Sequence, residues 1–172
     1  MDIFIPDMYY QSIYKIDYKK LKRMKIKCLL FALDNTLVPM SKKEPDRKLK
    51  DLFAMLSDDF KIIIVSNNNK LRLTPFKEQL NVDTAFNSHK PNKRKLIKIM
   101  KLYKLKPTEI AFIGDELLTD IYVANKMEFV SIFVNPISKI EPAKAKFRRK
   151  IERKIVKHYN KRGILIIGDY YE

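Results

Sequence analysis

Apolar residues fall along this chain in two rhythms. Continuous runs at 28–33, at Ile62-Ile63-Ile64-Val65 and at Ile110-Ala111-Phe112-Ile113 read as buried strands, and 129–134 reads as a further strand. Between them the spacing turns helical. Leu49, Leu52, Phe53 and Leu56 recur at i, i+3, i+4 and i+7 behind Pro45, which suits a first helical turn. Thr74-Pro75 can open a short helix toward Leu80, and 84–86 a brief strand. Leu96, Ile99, Met100 and Tyr103 stripe one face of a helix after Lys90-Pro91-Asn92, and another helix is expected near 117–126. Strands and helices in alternation predict an α/β fold with a mostly parallel central sheet and helices on both faces. Such sheets carry their sites beyond the carboxyl ends of the strands.

The two ends break the alternation. Residues 16–26 read as a basic helix ahead of the first strand, inside an extension spanning 1–26. Residues 142–162 read as a long helix with Phe147, Ile151 and Ile155 on one stripe. Arg148, Arg149, Lys150, Arg153, Lys154, Lys157, Lys161 and Arg162 cover much of its remainder. The last apolar run, 163–168, suits either a strand or a docking tail. At 172 residues the chain fits one domain over 1–172, with 142–172 as a basic helix and tail.

Composition narrows the class. A hydrophobic fraction of 46% with only 3 Gly is globular. Cys28 is the lone cysteine, so no internal disulfide can form, and its place in an apolar run makes it a small core residue. The start has neither the basic segment nor the long apolar core of a signal peptide. No apolar run approaches the roughly 18 residues of a spanning helix. A cytoplasmic protein is expected, peripheral at the inner face of the membrane where it meets lipid. The net charge of +16 favours a polyanionic partner: nucleic acid, anionic lipid or a phosphorylated substrate. No RNA-binding motif with stacking aromatics is visible, so nucleic acid is the less favoured partner.

Four strand-end segments carry polar groups suited to one chemistry: Phe31-Ala32-Leu33-Asp34-Asn35-Thr36-Leu37, Val65-Ser66-Asn67, Lys90-Pro91 and Gly114-Asp115-Glu116-Leu117-Leu118-Thr119-Asp120. Each alone is weak, but in this order, each after a strand or short turn, they are specific. With Ile5-Pro6-Asp7-Met8-Tyr9, Ser12-Ile13 and the tail segment Arg149-Lys150-Ile151-Glu152-Arg153, they make the chain resemble the haloacid-dehalogenase (HAD) phosphatase superfamily. Within it, the likeness is to the bacterial YqeG family and the mitochondrial phosphatidylglycerophosphate phosphatases. The resemblance implies a Rossmann-type three-layer sandwich and a Mg²⁺-dependent phosphomonoester hydrolase working through an aspartyl phosphate. It implies the nucleophile at position 32, with Asp34 as general acid and base and Thr36 steadying the loop. Ser66 and the Asn67 backbone N–H would hold phosphate oxygens, and Lys90 would neutralise charge on nucleophile and phosphoryl group. Asp115, the Asp34 main-chain carbonyl and Asp120, directly or one shell out, would hold Mg²⁺. Asn68 and Asn69 read as turn residues, His89 as a loop residue, and Glu116 as solvent-facing or linked to the metal through water.

Position 32 departs from that pattern. Ala32 cannot attack phosphorus or bind a metal, so this chain is expected to be inactive by that mechanism. It is either a natural pseudophosphatase or an engineered, silenced enzyme, and the completeness of the other motifs favours the second. The gaps from Asp34 to Ser66 and from Lys90 to Asp115 are too short for a cap domain. An open site suits a phosphate presented on something large. The basic ends, with Ile3, Phe4, Ile5, Met8 and Tyr9 taken as exposed, suit an anionic phospholipid surface, and the family implies hydrolysis of phosphatidylglycerophosphate to phosphatidylglycerol. The alternatives are a phosphatase for a nucleotide, sugar or phosphoprotein, and an RNA- or ribosome-associated binding protein.

Overall fold

The buried runs pair side by side in the computed structural model, which describes residues 3–138 and 143–172. Strand β2 (Cys28–Phe31) lies at the centre, parallel to β3 (Lys61–Val65) on one side and β5 (Ile110–Gly114) on the other. Beyond them lie β4 (Asp83–Ala85) and β6 (Val130–Val134), and β1 (Met8–Tyr10) pairs in parallel with β6 at the edge. The six-stranded order is β1-β6-β5-β2-β3-β4.

The two-residue period of β2 divides the core. Leu29, Phe31 and Leu33 pack with Leu49 and Phe53 of α2 (Arg47–Leu56) and with Leu73 and Phe76 of α3 (Lys70–Leu80), after the small helix α1 (Tyr18–Arg23) in chain order. Cys28, Leu30 and Ala32 pack on the other face with Leu96 and Ile99 of α4 (Arg94–Tyr103) and with Val123 and Ala124 of α5 (Tyr122–Lys126). A third cluster, around Tyr9, Leu117, Phe133, Tyr159 and Leu165, seats the last helix α6 (Ala143–Asn160) and the tail.

Several expectations shift. Strand β1 was not anticipated, and it takes Met8 and Tyr9 out of solvent, at 4% and 0% exposure. Ile3, Phe4 and Ile5 are half-buried rather than exposed, with Phe4 and Ile5 packed on the third cluster. The basic helix expected over 16–26 contracts to Tyr18–Arg23, capped by the Asp17 side chain. Helix α2 starts one residue after Asp46, whose side chain accepts from the Leu49 N–H, so Pro45 stays outside. Helix α3 starts at Lys70 behind an Asn69 cap, with Pro75 inside it. The carbonyl that Pro75 cannot bond is that of Leu71, which is exposed to water.

Of the striped residues of helix α6, Phe147 and Ile151 are exposed and Ile155 is half-buried on the third cluster, while Glu152 and Tyr159 are buried. The expected start at 142 lies outside the described residues. The final run docks as a tail: Leu165 is buried, and Tyr171 bridges Tyr9 antiparallel, the two backbones exchanging N–H···O bonds of 2.7 and 3.0 Å.

Candidate active site

The carboxyl ends of β2, β3 and β5 open on one cleft. After β2 the chain reverses at Asn35, whose φ of 62° an asparagine tolerates better than most residues. The Asn35 N–H donates to the Val38 carbonyl at 2.7 Å and Leu37 to Leu33 at 2.9 Å. This turn carries Thr36 inward, where its hydroxyl donates to Asp115 Oδ1 at 2.6 Å, both residues being buried. Asp34 faces the cleft with both oxygens held, Oδ1 by Arg72 Nη2 at 2.7 Å and Oδ2 by Asn68 Nδ2 at 2.5 Å.

Beyond β3, Ser66 Oγ accepts from the Asn68 N–H at 3.1 Å and from its side-chain amide at 3.0 Å. Asn67 turns its side-chain oxygen the other way, accepting from Ser88 Oγ at 2.9 Å and from the Lys90 N–H at 2.7 Å. The second segment thereby fixes the third. Lys90 reaches across to Asp120 Oδ1 at 2.5 Å, a pair with side chains 7% and 2% exposed.

The fourth segment depends on Gly114, because a Cβ there would collide with the Asp120 side chain that lies over it. A π-helical turn, Leu117–Ile121, then brings Asp120 back over the strand end. The Glu116 N–H donates to Asp120 Oδ2 at 3.2 Å, and Thr119 Oγ1 to Glu116 Oε2 at 2.7 Å.

Helix α6 supplies what the sequence reading did not assign. Arg148 holds Glu116 with two bonds, Nε to Oε2 at 3.1 Å and Nη2 to Oε1 at 3.0 Å. Arg149 pairs with the Asp115 carboxylate and also donates to the Asp115 main-chain carbonyl. Glu152, one turn on, accepts from Arg149 at 2.9 Å and from the Leu118 N–H at 3.0 Å. These side chains set the local electrostatics. Burial pushes the Asp115 carboxyl up to about 7, against the pull of Arg149 and Thr36. Burial also raises Glu116, but the hydrogen bonds from Arg148 and Thr119 outweigh it and leave that group below the usual carboxylate range.

Ala32, Asp34, Ser66, Asn67, Lys90, Asp115 and Asp120 therefore line one cleft of about 160 Å³. Thr36 stands behind the wall on Asp115. Four further participants went unread in the sequence: Asn68, Arg72, Arg148 and Arg149. Asn68 is a partner of Asp34 rather than only a turn residue, and Glu116 is ion-paired rather than solvent-facing. His89 is an exposed loop residue with φ 52°.

The donor set does not fit Mg²⁺ in this chain. Position 32 offers a methyl group. Asp115 is engaged through both carboxylate oxygens and its carbonyl, and Asp120 through both of its oxygens. Among the described residues no three acidic, imidazole or thiol groups converge as metal ligands do.

A family model described as mitochondrial PGP phosphatase matches residues 1–138. Over 161 residues the chain is 30% identical to a Bacillus subtilis (strain 168) protein named "Probable phosphatase YqeG", a match spanning 93% of this chain and 94% of that one. A HAD-like family hydrolase from Porphyromonas gingivalis shares the fold, with a TM-score of 0.55 and 14% identity over 73% of this chain and 98% of its own. So does a HAD family enzyme of Bacteroides thetaiotaomicron solved as a magnesium complex, at TM-score 0.54 and 13% identity, covering 67% of this chain and 96% of its own. The chain belongs to the mitochondrial PGP phosphatase family, of the HAD phosphatase type and the YqeG kind.

Proposed function

We propose that the cleft recognises the phosphate of an anionic phospholipid of the phosphatidylglycerophosphate kind, and that the chain as it stands recognises it without hydrolysing it. The observation that carries this is the methyl group of Ala32 in an otherwise assembled site. Lys90 and Arg148 supply positive charge at the cleft, and Ser66 and Asn67 stand at the end of β3 to take phosphate oxygens. With a carboxylate at position 32, one of its oxygens would bond to phosphorus as the ester P–O bond breaks. Asp34 would give its proton to the leaving alkoxide. It would then take one from the water that attacks phosphorus, releasing phosphate and restoring the carboxylate. Arg72 and Asn68 hold Asp34 in place for that task. Magnesium enters this reading only for a chain bearing that carboxylate.

The lipid part of the proposal is supported by two features. Only a loop, α2 and β3 separate Asp34 from Ser66, and only α4, a short turn of helix at Pro107–Glu109 and β5 lie between the Lys90 loop and Asp115, so neither gap holds a cap domain. Helix α6, whose Arg148 lines the cleft, shows Phe147 at 66% exposure and Ile151 at 37% to solvent. Lys146, Lys150, Arg153, Lys154 and Lys157 on the same helix are also exposed. An apolar ridge among cations suits an anionic bilayer surface. No helix among the described residues is long and apolar enough to cross a membrane.

The test is Mg²⁺-dependent phosphate release from phosphatidylglycerophosphate in anionic vesicles, beside a panel of soluble phosphoesters. The chain itself should release none, and Ala32→Asp should release phosphate from the lipid. An Ala32→Asp protein that binds Mg²⁺ yet stays inactive on every substrate would sink the phosphatase reading. Turnover confined to soluble esters would sink the lipid reading.

A further inference from the structure

Each acidic residue lining the cleft has a cationic side chain of its own. Arg72 serves Asp34 at 2.7 Å, Lys90 serves Asp120 at 2.5 Å, Arg148 serves Glu116 at 3.0 Å, and Arg149 serves Asp115. A buried, unpaired carboxylate is strongly disfavoured, so a site of this kind has to obtain positive charge from somewhere. A carboxylate at position 32 would be one more negative group with no cation matched to it. In this chain that group is absent, and the remaining charges cancel pair by pair.

We propose that Arg149 does for Asp115 what a divalent cation would otherwise do, so that the cleft binds phosphate without a divalent metal. Mg²⁺ needs about six oxygens near 2.1 Å in octahedral array, usually from one or two carboxylates plus waters and substrate. Here the guanidinium takes the carboxylate oxygen and the main-chain carbonyl of Asp115, and the Thr36 hydroxyl takes the other carboxylate oxygen. The guanidinium is itself held from behind, since Glu152 accepts from it at 2.9 Å and is anchored by the Leu118 N–H at 3.0 Å. Glu152 is 5% exposed, so this is an interior brace rather than a surface pair. A planar fork bonded to three acceptors on two residues has a defined geometry that a mobile lysine would lack.

The test uses the full chain stripped with EDTA. MgCl₂ is added against NaCl of matched ionic strength, and thermal unfolding is followed. The wild-type midpoint should not respond to Mg²⁺. In Arg149→Gln the Asp115 carboxylate loses its cation, and Mg²⁺ should raise the midpoint by about 5–10 °C at roughly one hundred times its dissociation constant. Adding Asp115→Asn should abolish that response. In a second arm, which rests on the phosphate reading above, calorimetric titration of wild type with inorganic phosphate should give the same affinity within about twofold in EDTA and in Mg²⁺. A midpoint rise with Mg²⁺ in wild type, or phosphate affinity about tenfold higher with Mg²⁺, would overturn the proposal, whether or not Arg149→Gln folds. Phosphate binding in neither buffer would remove the phosphate reading, and the Mg²⁺ titration would still decide the role of Arg149.

Discussion

Replacing Lys90 with methionine isolates the most buried of the pairs whose two residues both line the cleft. Lys90 Nζ lies 2.5 Å from Asp120 Oδ1, with the two side chains 7% and 2% exposed. At an effective dielectric of about 20, two unit charges at that distance attract by roughly 6–7 kcal/mol. Desolvation of both ions offsets most of this, so the pair contributes little net stability. Removing one partner is another matter. Lys90→Met leaves the Asp120 carboxylate buried with only the Glu116 N–H at 3.2 Å and the Thr119 hydroxyl at 3.5 Å. Breaking a buried pair from one side costs about 3–5 kcal/mol, which for a chain of this size lowers the melting midpoint by about 6–20 °C. Lys22→Met is the control. Its pair with Asp59 is on the surface, with side chains 62% and 39% exposed, and its loss should cost about 1 kcal/mol at most. The double variant Lys90→Met/Asp120→Asn should regain at least half of the loss, because no buried charge is stranded. Calorimetry on the four proteins decides it. A Lys90→Met protein that loses no more than Lys22→Met would show that the pair does not brace the cleft.

Gly114→Ala should destabilise by about 1–3 kcal/mol and displace Asp120, because the new Cβ meets that side chain; the melting midpoint and the accessibility of the cleft to phosphate report both effects. Tyr9→Phe removes the hydroxyl that donates to Asn135 at 2.5 Å and accepts from the Gly168 N–H at 3.1 Å, so about 1 kcal/mol should be lost and limited proteolysis should trim the tail sooner. Phe147→Ser/Ile151→Ser should leave the midpoint nearly unchanged and reduce sedimentation with anionic vesicles several-fold; unchanged sedimentation would take α6 out of the lipid surface. Hydrogen bonds from Lys61 and Tyr103 hold the Asp83 carboxyl below the usual range, so its stabilising contribution is complete above about pH 4 and fades as pH falls through the lowered value. Asp83→Asn should flatten that part of the acid-unfolding curve.

The sheet was readable because parallel strands buried on both faces leave apolar runs, as in β2, β5 and β3 after Lys61, and in β6, where only Ser131 interrupts. Strand β1 escaped because Met8–Tyr10 is only three residues long, and its burial comes from partners far along the chain, Ile132 to Val134 and the returning Tyr171. The motif residues at the strand ends were readable for a chemical reason: a polar side chain directly after a buried strand stands at the one place where such a sheet opens. The same logic says nothing about Arg72 or Arg149, which sit among 36 basic residues with no periodic cue to mark them.

Helix α6 shows that periodicity alone does not say which face turns inward. Phe147, Ile151 and Ile155 do recur at helical spacing, yet the face turned inward carries Arg149, Glu152 and Tyr159. Toward its start that face meets the polar site through ion pairs, and toward its end Tyr159 packs on the apolar third cluster. One cue was present. Glu152 is the only acidic residue in the 18 residues of α6, and a lone carboxylate among so many cations has no reason to face solvent more than its neighbours do. Placed inward, it needs a cation within one turn, and Arg149 stands three residues before it. The next negative group that this guanidinium can share is Asp115, at the end of β5. An isolated acid in a basic helix therefore points to the guanidinium that joins α6 to the end of β5.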